Sequence, residues 1–548
     1  MTESSHEQKT KELIDNLRAI CTGAGLSKFV EFKIITEVFL YKFLNDKFGY
    51  EVKKILKSSK NDKNWEEQIS SFSENEYELL LKRIPPNSAI MYARNFISTL
   101  WNQQNTEQFF ETFNNNLLDI AFNNNDVFAV KTEENQNIQL FDGIKDRVSE
   151  LSSEKQDDFA RAIINQLIDV NFEDIFENKF DFFSEIYEYL IQEYNTNKGG
   201  TYAEYYTPSS IAKIISSILV SDSDNNVTIY DPSSGSGTLL MHLAQAIGDD
   251  KCFIYSQDIN AQSTSLLRIN LILNNLVHSL QNIVQGNTIK DPFHKENNQL
   301  MKFDYIVANP PFKIDYSDWR DELDTKENLE RFPSGIPAIP KQKDPTKDIK
   351  MDIYSLFIQH IIYSMADKGK AAIVVPTGFI TSVQGIPAKV LKSLIDSKIL
   401  QGVVSMPGNI FGQTGTMVSI VFLEKNRNTD EVVLIDASQL GETRKNSENQ
   451  QQHYLSEDDG KKIIDTFNNK LTVKDFSVVT NYESIIAEDY KCNAGRYYDV
   501  VMENIEISED EFNEVIKNYK SNLQKYFNES NAYSDKISKQ LDNLDYDN

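Results

Sequence analysis

Cysteine is scarce: three in 548 residues, Cys21, Cys252 and Cys492, far apart and in no CxxC pair. That excludes a disulfide-stapled fold and a zinc knuckle, and it fits a reducing compartment, the cytoplasm. Long apolar runs are missing. Nothing approaches about 18 consecutive apolar residues, so no membrane span is expected. The opening MTESSHEQKTKELIDN has no apolar stretch, so no secretory signal is expected either. Basic residues are outnumbered, 56 Lys and Arg against 82 Asp and Glu, for a net charge of −26. Phosphate binding relies on Lys and Arg, so bulk charge points away from nucleic acid unless a local basic groove or a basic partner makes the contact. The rest of the composition is ordinary. With 40% apolar and 25% charged residues the chain is neither collagen-like nor disordered. Its length suggests about three or four domains and more than one core.

Residues 1 to 185 read as a helical domain. In LSKFVEFKIITEVFLYKFLNDKFG the apolar positions Phe29, Phe32, Ile35, Val38, Phe39 and Phe43 follow helical spacing, with Gly49 as the expected stop. YELLLKRI, FARAIINQLIDV and FFSEIYEYLIQEY suggest further helices. Glu51-Val52-Lys53 near Asp46 reads as surface charge rather than a nuclease site. Near residue 200 the texture changes: VTIYD, CFIYSQD, NIVQG, FDYIVAN, KAAIVVP, GVVSMP, MVSIVFLEK and EVVLID alternate with helical stretches. Strands spaced by helices predict a doubly wound α/β sheet, with an antiparallel hairpin at one edge where the last strands crowd together. After about residue 440 the sheet signal fades into the polar ETRKNSENQQQ. From Phe512 the apolar residues then follow a 4-3 repeat through Ile516, Tyr519, Leu523, Tyr526, Tyr533, Ile537 and Leu544, broken at Ser530 and Gln540. This is a coiled-coil seam, expected to meet a partner helix.

In an open α/β sheet, ligands sit at the carboxyl ends of the strands, and the motifs fall there. VTIYD runs into Asp231-Pro232-Ser233-Ser234-Gly235-Ser236-Gly237-Thr238. Glycines at a strand-to-helix turn admit a ligand close to the backbone. The next strand ends at Asp258, placed to accept from ribose hydroxyls, and no GKS or GKT follows the glycines, so this is no Walker loop. A fourth strand ends in Asn309-Pro310-Pro311-Phe312. The prolines fix the backbone and remove two amide donors, leaving a turn rich in acceptors. The Asn309 side-chain oxygen and the Pro310 carbonyl can both accept from a planar NH2 group, drawing its lone pair out of conjugation. Phe312 offers a ring on which a base can stack.

Together these motifs resemble S-adenosylmethionine-dependent amino-methyltransferases. Upstream, Glu204-Tyr205-Tyr206-Thr207-Pro208-Ser209 is similar to the Tyr/Phe-Thr-Pro element that packs over the methionine part of the cofactor in N6-adenine DNA methyltransferases, in the motif order of the gamma group. FLYKFLND, DIYSLFIQHIIYSM, AAIVVPTGFI, MPGNIFGQTGTMVSIVFLEK and EDYKCNAGRYYDV extend the likeness to the modification (M) subunit of type I restriction-modification systems. The resemblance implies a class I methyltransferase sheet binding S-adenosyl-L-methionine through Glu204, Tyr205, Tyr206, Thr207, Pro208, Ser209, Asp231, Ser233, Ser234, Gly235, Gly237, Asp258 and Asn287. It implies that Asn309, Pro310, Pro311 and Phe312 handle the target adenine of DNA. The chain departs from the family pattern at Asp258, where Glu is usual, at Thr238, where Gly is frequent, and at Asn287, where relatives carry Asp near the cofactor's adenine. No metal is implied.

The expected domains are 1–185, helical; 186–440, methyltransferase; 441–505, linker and extension; and 506–548, a partner-binding helix. No stretch reads as a target-recognition domain. The resemblance supplies one on a separate specificity (S) subunit, held by the terminal helix, with a second M subunit and a restriction subunit in the full complex. The insertion at 313–350, whose second half holds five Lys or Arg against two Asp, reads as a DNA-facing loop beside Phe312. Other readings are a self-sufficient or orphan DNA methyltransferase, and a methyltransferase of RNA or of protein glutamine. Cytosine N4 also offers a planar NH2.

Overall fold

The VTIYD and CFIYSQD runs form adjacent parallel strands, as their β-branched and aromatic content predicts. They sit near the centre of an eleven-stranded mixed sheet. The computed structural model describes residues 5–57, 65–86, 88–134, 136–173, 176, 207–220, 225–341, 349–411, 416–445, 451–498 and 508–542. The chain divides into two units, Met1–Tyr497 and Tyr498–Asn548.

The first unit opens with helices α1 (Ser5–Gly23), α2 (Lys28–Leu56) and α3 (Phe109–Asn123). A short hairpin follows, β1 (Val130–Thr132) and β2 (Asn137–Ile138), and then α4 (Ser153–Ile168). After α5 (Ser209–Leu219), strands and helices alternate: β3 (Val227–Asp231), α6 (Thr238–Ile247), β4 (Cys252–Asp258), α7 (Ala261–Leu273), β5 (Ile283–Gln285) and β6 (Phe303–Ala308). Then come α8 (Tyr354–Ser364), β7 (Met365–Pro376), β8 (Leu400–Ser405), β9 (Val418–Glu424), β10 (Glu431–Asp436) and β11 (Ser477–Asn481). The sheet order is β11-β10-β8-β9-β7-β6-β3-β4-β5-β1-β2.

Several expectations change. The antiparallel strand β9 lies inside the sheet, paired on one side with β7 and on the other with β8, and β10 then runs parallel to β8. The sheet does not end near residue 440, because β11 pairs antiparallel with β10. The helical N-terminal region also contributes strands. β1 pairs parallel with β5, so the first part of the chain extends the sheet beyond it. Arg268 of α7 secures this junction. Its buried guanidinium donates to the carbonyls of Ile138, Gln139 and Leu140.

Gly49 does not stop α2. Serine at position 27 caps its start by accepting from the Val30 amide, and Lys57 caps its end at φ 57. Gly49 sits mid-helix because the Trp65 indole fills the space a Cβ would take, 2.8 Å away. Nor is Glu51-Val52-Lys53 surface charge: Glu51 and Lys53 are buried, and Lys53 Nζ meets the Glu173 carboxylate at 2.7 Å. Phe29, read as part of the apolar seam, is exposed, while Phe32, Ile35, Val38, Phe39 and Phe43 are buried. FFSEIYEYLIQEY lies outside the described residues.

The second unit is described through one 34-residue helix, α9 (Glu509–Asp542). Phe512, Tyr519, Leu523, Tyr526, Tyr533 and Ile537 are each at least half exposed along it. Leu544 lies outside the described residues. Among the described residues, no helix is long and apolar enough to cross a membrane, all three cysteines are free and buried, and no group of acids, His and Cys is arranged to hold a metal.

Candidate functional site

The described motif residues from Asp231 to Phe312 gather at the carboxyl ends of β3, β4, β5 and β6. The turn after β3 needs its glycines. Gly235 has φ +52 and Gly237 φ +86, and a Cβ on Gly237 would lie 2.2 Å from Leu267 Cδ1 of α7. Gly237 directly precedes α6 and offers no side-chain cap, so the helix's first amides stay open at the turn.

Two buried carboxyl groups bind this turn to its neighbours. Asp231 Oδ1 accepts from the Ser233 amide at 2.9 Å. Asp258 Oδ2 accepts from the Gly235 amide at 2.9 Å, and its Oδ1 from the Asn260 amide at 2.8 Å. Asp258 therefore pins the glycine turn to the tip of β4, and each of its oxygens keeps a second lone pair for a ligand. Burial pushes the Asp231 carboxyl well above the usual range, with the Asp258 charge adding to the shift, and burial likewise raises Asp258. No Lys or Arg occurs between Asp231 and Thr238. The turn itself thus brings no cation, and two buried acids beside it oppose a pyrophosphate. Ser234 Oγ meets Ser256 Oγ at 3.0 Å. Ile259, next to Asp258, is 66% exposed and presents an apolar side chain beside the acid.

At the tip of β6, Asn309 is half-buried, Pro310 buried and Pro311 exposed. Asn309 Nδ2 donates to Thr207 Oγ1 at 3.3 Å, so the Asn-Pro-Pro-Phe turn and the Thr207-Pro208-Ser209 element meet, although far apart in sequence. Ser209 starts α5, and its Oγ lies 2.8 Å from His242 Nε2 of α6. Glu204, Tyr205 and Tyr206 lie outside the described residues. The Phe312 ring is half-buried and stands edge-on to Tyr354 of α8 at 6.3 Å, and Tyr354 in turn meets Phe379 at 6.0 Å. Its position is thus set by packing.

The Asn287 side-chain oxygen turns back into its own chain. It accepts from the amides of Ile289 and Lys290, both at 3.1 Å. The Asn287 amide donates to Glu133 Oε2 at 2.9 Å. Glu133, His242 and Arg331 carry no motif that would mark them in the sequence. Arg331 was counted among the five bases of the insertion, but it is buried. Its guanidinium donates to the carbonyls of Thr288, at 3.5 Å, and Ile289. Ile289 joins Tyr316, Leu323 and Phe332 of the insertion, with Met351 and Ile353 beyond it, in a small separate core, so part of the insertion is packed structure.

The family model for the N-6 DNA methylases matches residues 178–528. A type I restriction enzyme methylase subunit of Mycoplasma pneumoniae is 27% identical over 63% of this chain and 62% of its own length, just under two thirds of that relative. A second, from Methanocaldococcus jannaschii, is 27% identical over 70% of this chain and 67% of its own. In fold, the chain is similar to the methyltransferase subunit of a type I restriction-modification system from Streptococcus thermophilus, with a TM-score of 0.70 over 90% of this chain and 99% of that one at 23% identity. With well over half of its length matched by the family model, the chain belongs to the N-6 DNA methylase family.

Proposed function

We propose that this chain is the methyltransferase subunit of a type I restriction-modification complex, moving a methyl group from S-adenosylmethionine to adenine N6 in DNA at a site chosen by a separate specificity subunit. The observation that carries this reading is the contact of Asn309 Nδ2 with Thr207 Oγ1. With its nitrogen turned to Thr207, the Asn309 amide has an oxygen that accepts nothing among the described hydrogen bonds and could accept from a target NH2, alongside the Pro310 carbonyl.

Ser233, Ser234, Gly235, Gly237 and Asp258 would hold the cofactor, with Asp231 behind the turn and Thr207-Pro208-Ser209 over its methionine end. When bound, S-adenosylmethionine supplies an electrophilic methyl on a sulfonium. The protein's part is position and desolvation, not strong base catalysis. Asn309 and Pro310 accept both amine hydrogens, and Phe312 stacks on the base. A base inside a duplex cannot reach this turn, so the target is flipped out. Residues 313–350 face the DNA beside Phe312, with Lys341 and Lys350 exposed and available to phosphates while Arg331 is not.

The exposed seam of α9 fits a helix of the specificity subunit, around which two copies of this chain and a restriction subunit would assemble in the cytoplasm. Mass spectrometry of host-DNA nucleosides tests the reading, with this chain expressed alone and then with its specificity partner. N6-methyladenine is expected only with the partner. Its appearance from this chain alone would refute the borrowed reader. Its absence in both would refute the DNA methyltransferase reading.

A further inference from the structure

The Gly286-Asn287 turn carries an acidic side chain from the helical part of the chain, and no motif of the methyltransferase sheet accounts for it. β1 lies parallel to β5, and the tips of three strands are level: Asp258 pairs with Gln285, and Gln285 with Thr132. The residue after Thr132 is Glu133. Its amide donates to the Gln285 carbonyl at 2.9 Å, and its Oε2 accepts from the Asn287 amide at 2.9 Å. A Cβ on Gly286 would lie 2.3 Å from that oxygen, so glycine is what lets the carboxylate in. Among the described hydrogen bonds, Oε1 of Glu133 accepts nothing.

A nucleoside whose ribose sits at Asp258 must extend its base away from the glycine turn, along the strand tips towards β5 and β1. Adjacent strands lie about 4.8 Å apart, so the step from β4 to β1 is about 10 Å, the scale of a nucleoside. Exposed Ile259 offers the base an apolar face on the way. A base with an exocyclic amine then needs an acceptor at β5 or β1. Asn287 cannot serve: a carbonyl oxygen has two lone pairs, and the amides of Ile289 and Lys290 take both. Glu133 Oε1, which accepts nothing among the described hydrogen bonds, is an acceptor placed at that end of the sheet.

We propose that Glu133, delivered by the N-terminal region, reads the 6-amino group of the cofactor's adenine and so completes the cofactor site from outside the methyltransferase sheet. This rests on the reading of the site as one for S-adenosylmethionine. It makes cofactor recognition depend on the docking of β1 against β5.

The test is calorimetric binding of S-adenosylhomocysteine and of its deaminated analogue S-inosylhomocysteine to the full-length protein, without DNA or turnover. Inosine replaces the amine donor with a carbonyl acceptor, which a carboxylate repels. Hydrogen bonds to charged groups predict that the wild type prefers the adenosyl ligand by about tenfold or more. In Glu133→Gln the amide can turn either its nitrogen or its oxygen to the base, so the two affinities should fall within about twofold of each other. Glu133→Ala should also abolish the preference, with an unchanged melting temperature showing that the fold is intact. An equal loss of both ligands in the variants would make Glu133 a docking contact only and overturn the proposal, as would a wild type that does not discriminate. A wild type that binds neither ligand would instead overturn the cofactor reading itself, and the proposal with it.

Discussion

Replacing Asn309 with alanine separates chemistry from folding. The side chain stands between buried Ala308 and buried Pro310 and makes one described hydrogen bond, 3.3 Å to Thr207. For the fold, a neutral hydrogen bond is worth about 0.5–1.5 kcal/mol net, and a long, half-exposed one belongs at the low end. For the proposed reaction, Asn309 would supply a fixed acceptor where the amine loses its conjugation. Preorganised groups at a reacting centre are worth about 10²–10³ in rate, roughly 3–4 kcal/mol. Asn309→Ala should therefore stay folded, bind S-adenosylhomocysteine within about threefold of wild type, and transfer methyl at least about a hundredfold more slowly. Asn309→Asp keeps the shape, and the Thr207 hydroxyl can reverse its role and donate to the carboxylate. It should fall between alanine and wild type. Single-turnover incorporation of labelled methyl into DNA, with the specificity partner present, measures the step directly. Transfer by the alanine variant within tenfold of wild type would refute the assigned role.

Gly237→Ala combines a left-handed φ of +86 with a Cβ 2.2 Å from Leu267. Backbone strain of about 1–2 kcal/mol and overpacking of about 1–3 kcal/mol should cost about 2 to 5 kcal/mol in denaturant unfolding, and an unchanged midpoint would show that the turn is not so constrained. His294 is buried against Tyr230 and Tyr255, and burial lowers its pKa to about 4. The unfolded chain binds that proton near pH 6.5, so the stability held by neutral His294 is complete above pH 6.5 and is lost as pH falls towards 4. The window amounts to about 3 kcal/mol. His294→Phe should flatten the stability profile between pH 6.5 and 4, and an unaltered slope would assign the acid sensitivity elsewhere. The buried Lys53–Glu173 pair, 2.7 Å apart, predicts that Glu173→Ala, which removes one partner of the ammonium, costs up to about 3–5 kcal/mol, while Lys53→Met with Glu173→Leu recovers most of the loss. Equal melting temperatures for the single and double variants would contradict this.

What could be read from the sequence is what local chemistry determines. β4 spans the predicted run Cys252–Asp258, and the glycine turn and the Asn-Pro-Pro-Phe turn stand at strand tips, because alternation, β-branching and turn residues act over a few positions. What was not legible depends on partners distant in sequence. Nothing in Val130–Thr132 announces that it will pair with β5, and Arg268 looks like any surface arginine until three carbonyls of the β2 segment close around it. Gly49 reads as a helix stop because only the folded chain brings in Trp65. The internal place of β9 reflects which edge β7 leaves free. At the site, the residue types were legible and their commitments were not. Asn287 stands at the implied cofactor position, but its oxygen caps the amides of Ile289 and Lys290.

The burial of Arg331 bears on how so acidic a chain could act on DNA. It removes one of the five bases that made the insertion look cationic, and its guanidinium instead ties that segment to Thr288 and Ile289, beside the strand tips proposed to hold the cofactor. The chain as a whole still carries a surplus of 26 negative charges, and among the described ones of those five bases only Lys341 and Lys350 stand exposed against it. Counterion release scales with the number of phosphates neutralised, so a chain of this charge gains little nonspecific affinity of its own. On the proposed reading, much of the binding energy that delivers a flipped base would then come from elsewhere. The division proposed above is consistent with that charge: the rigid Asn-Pro-Pro-Phe turn would receive an extruded base, and the grip on the duplex would fall largely to a partner held through the exposed seam of α9.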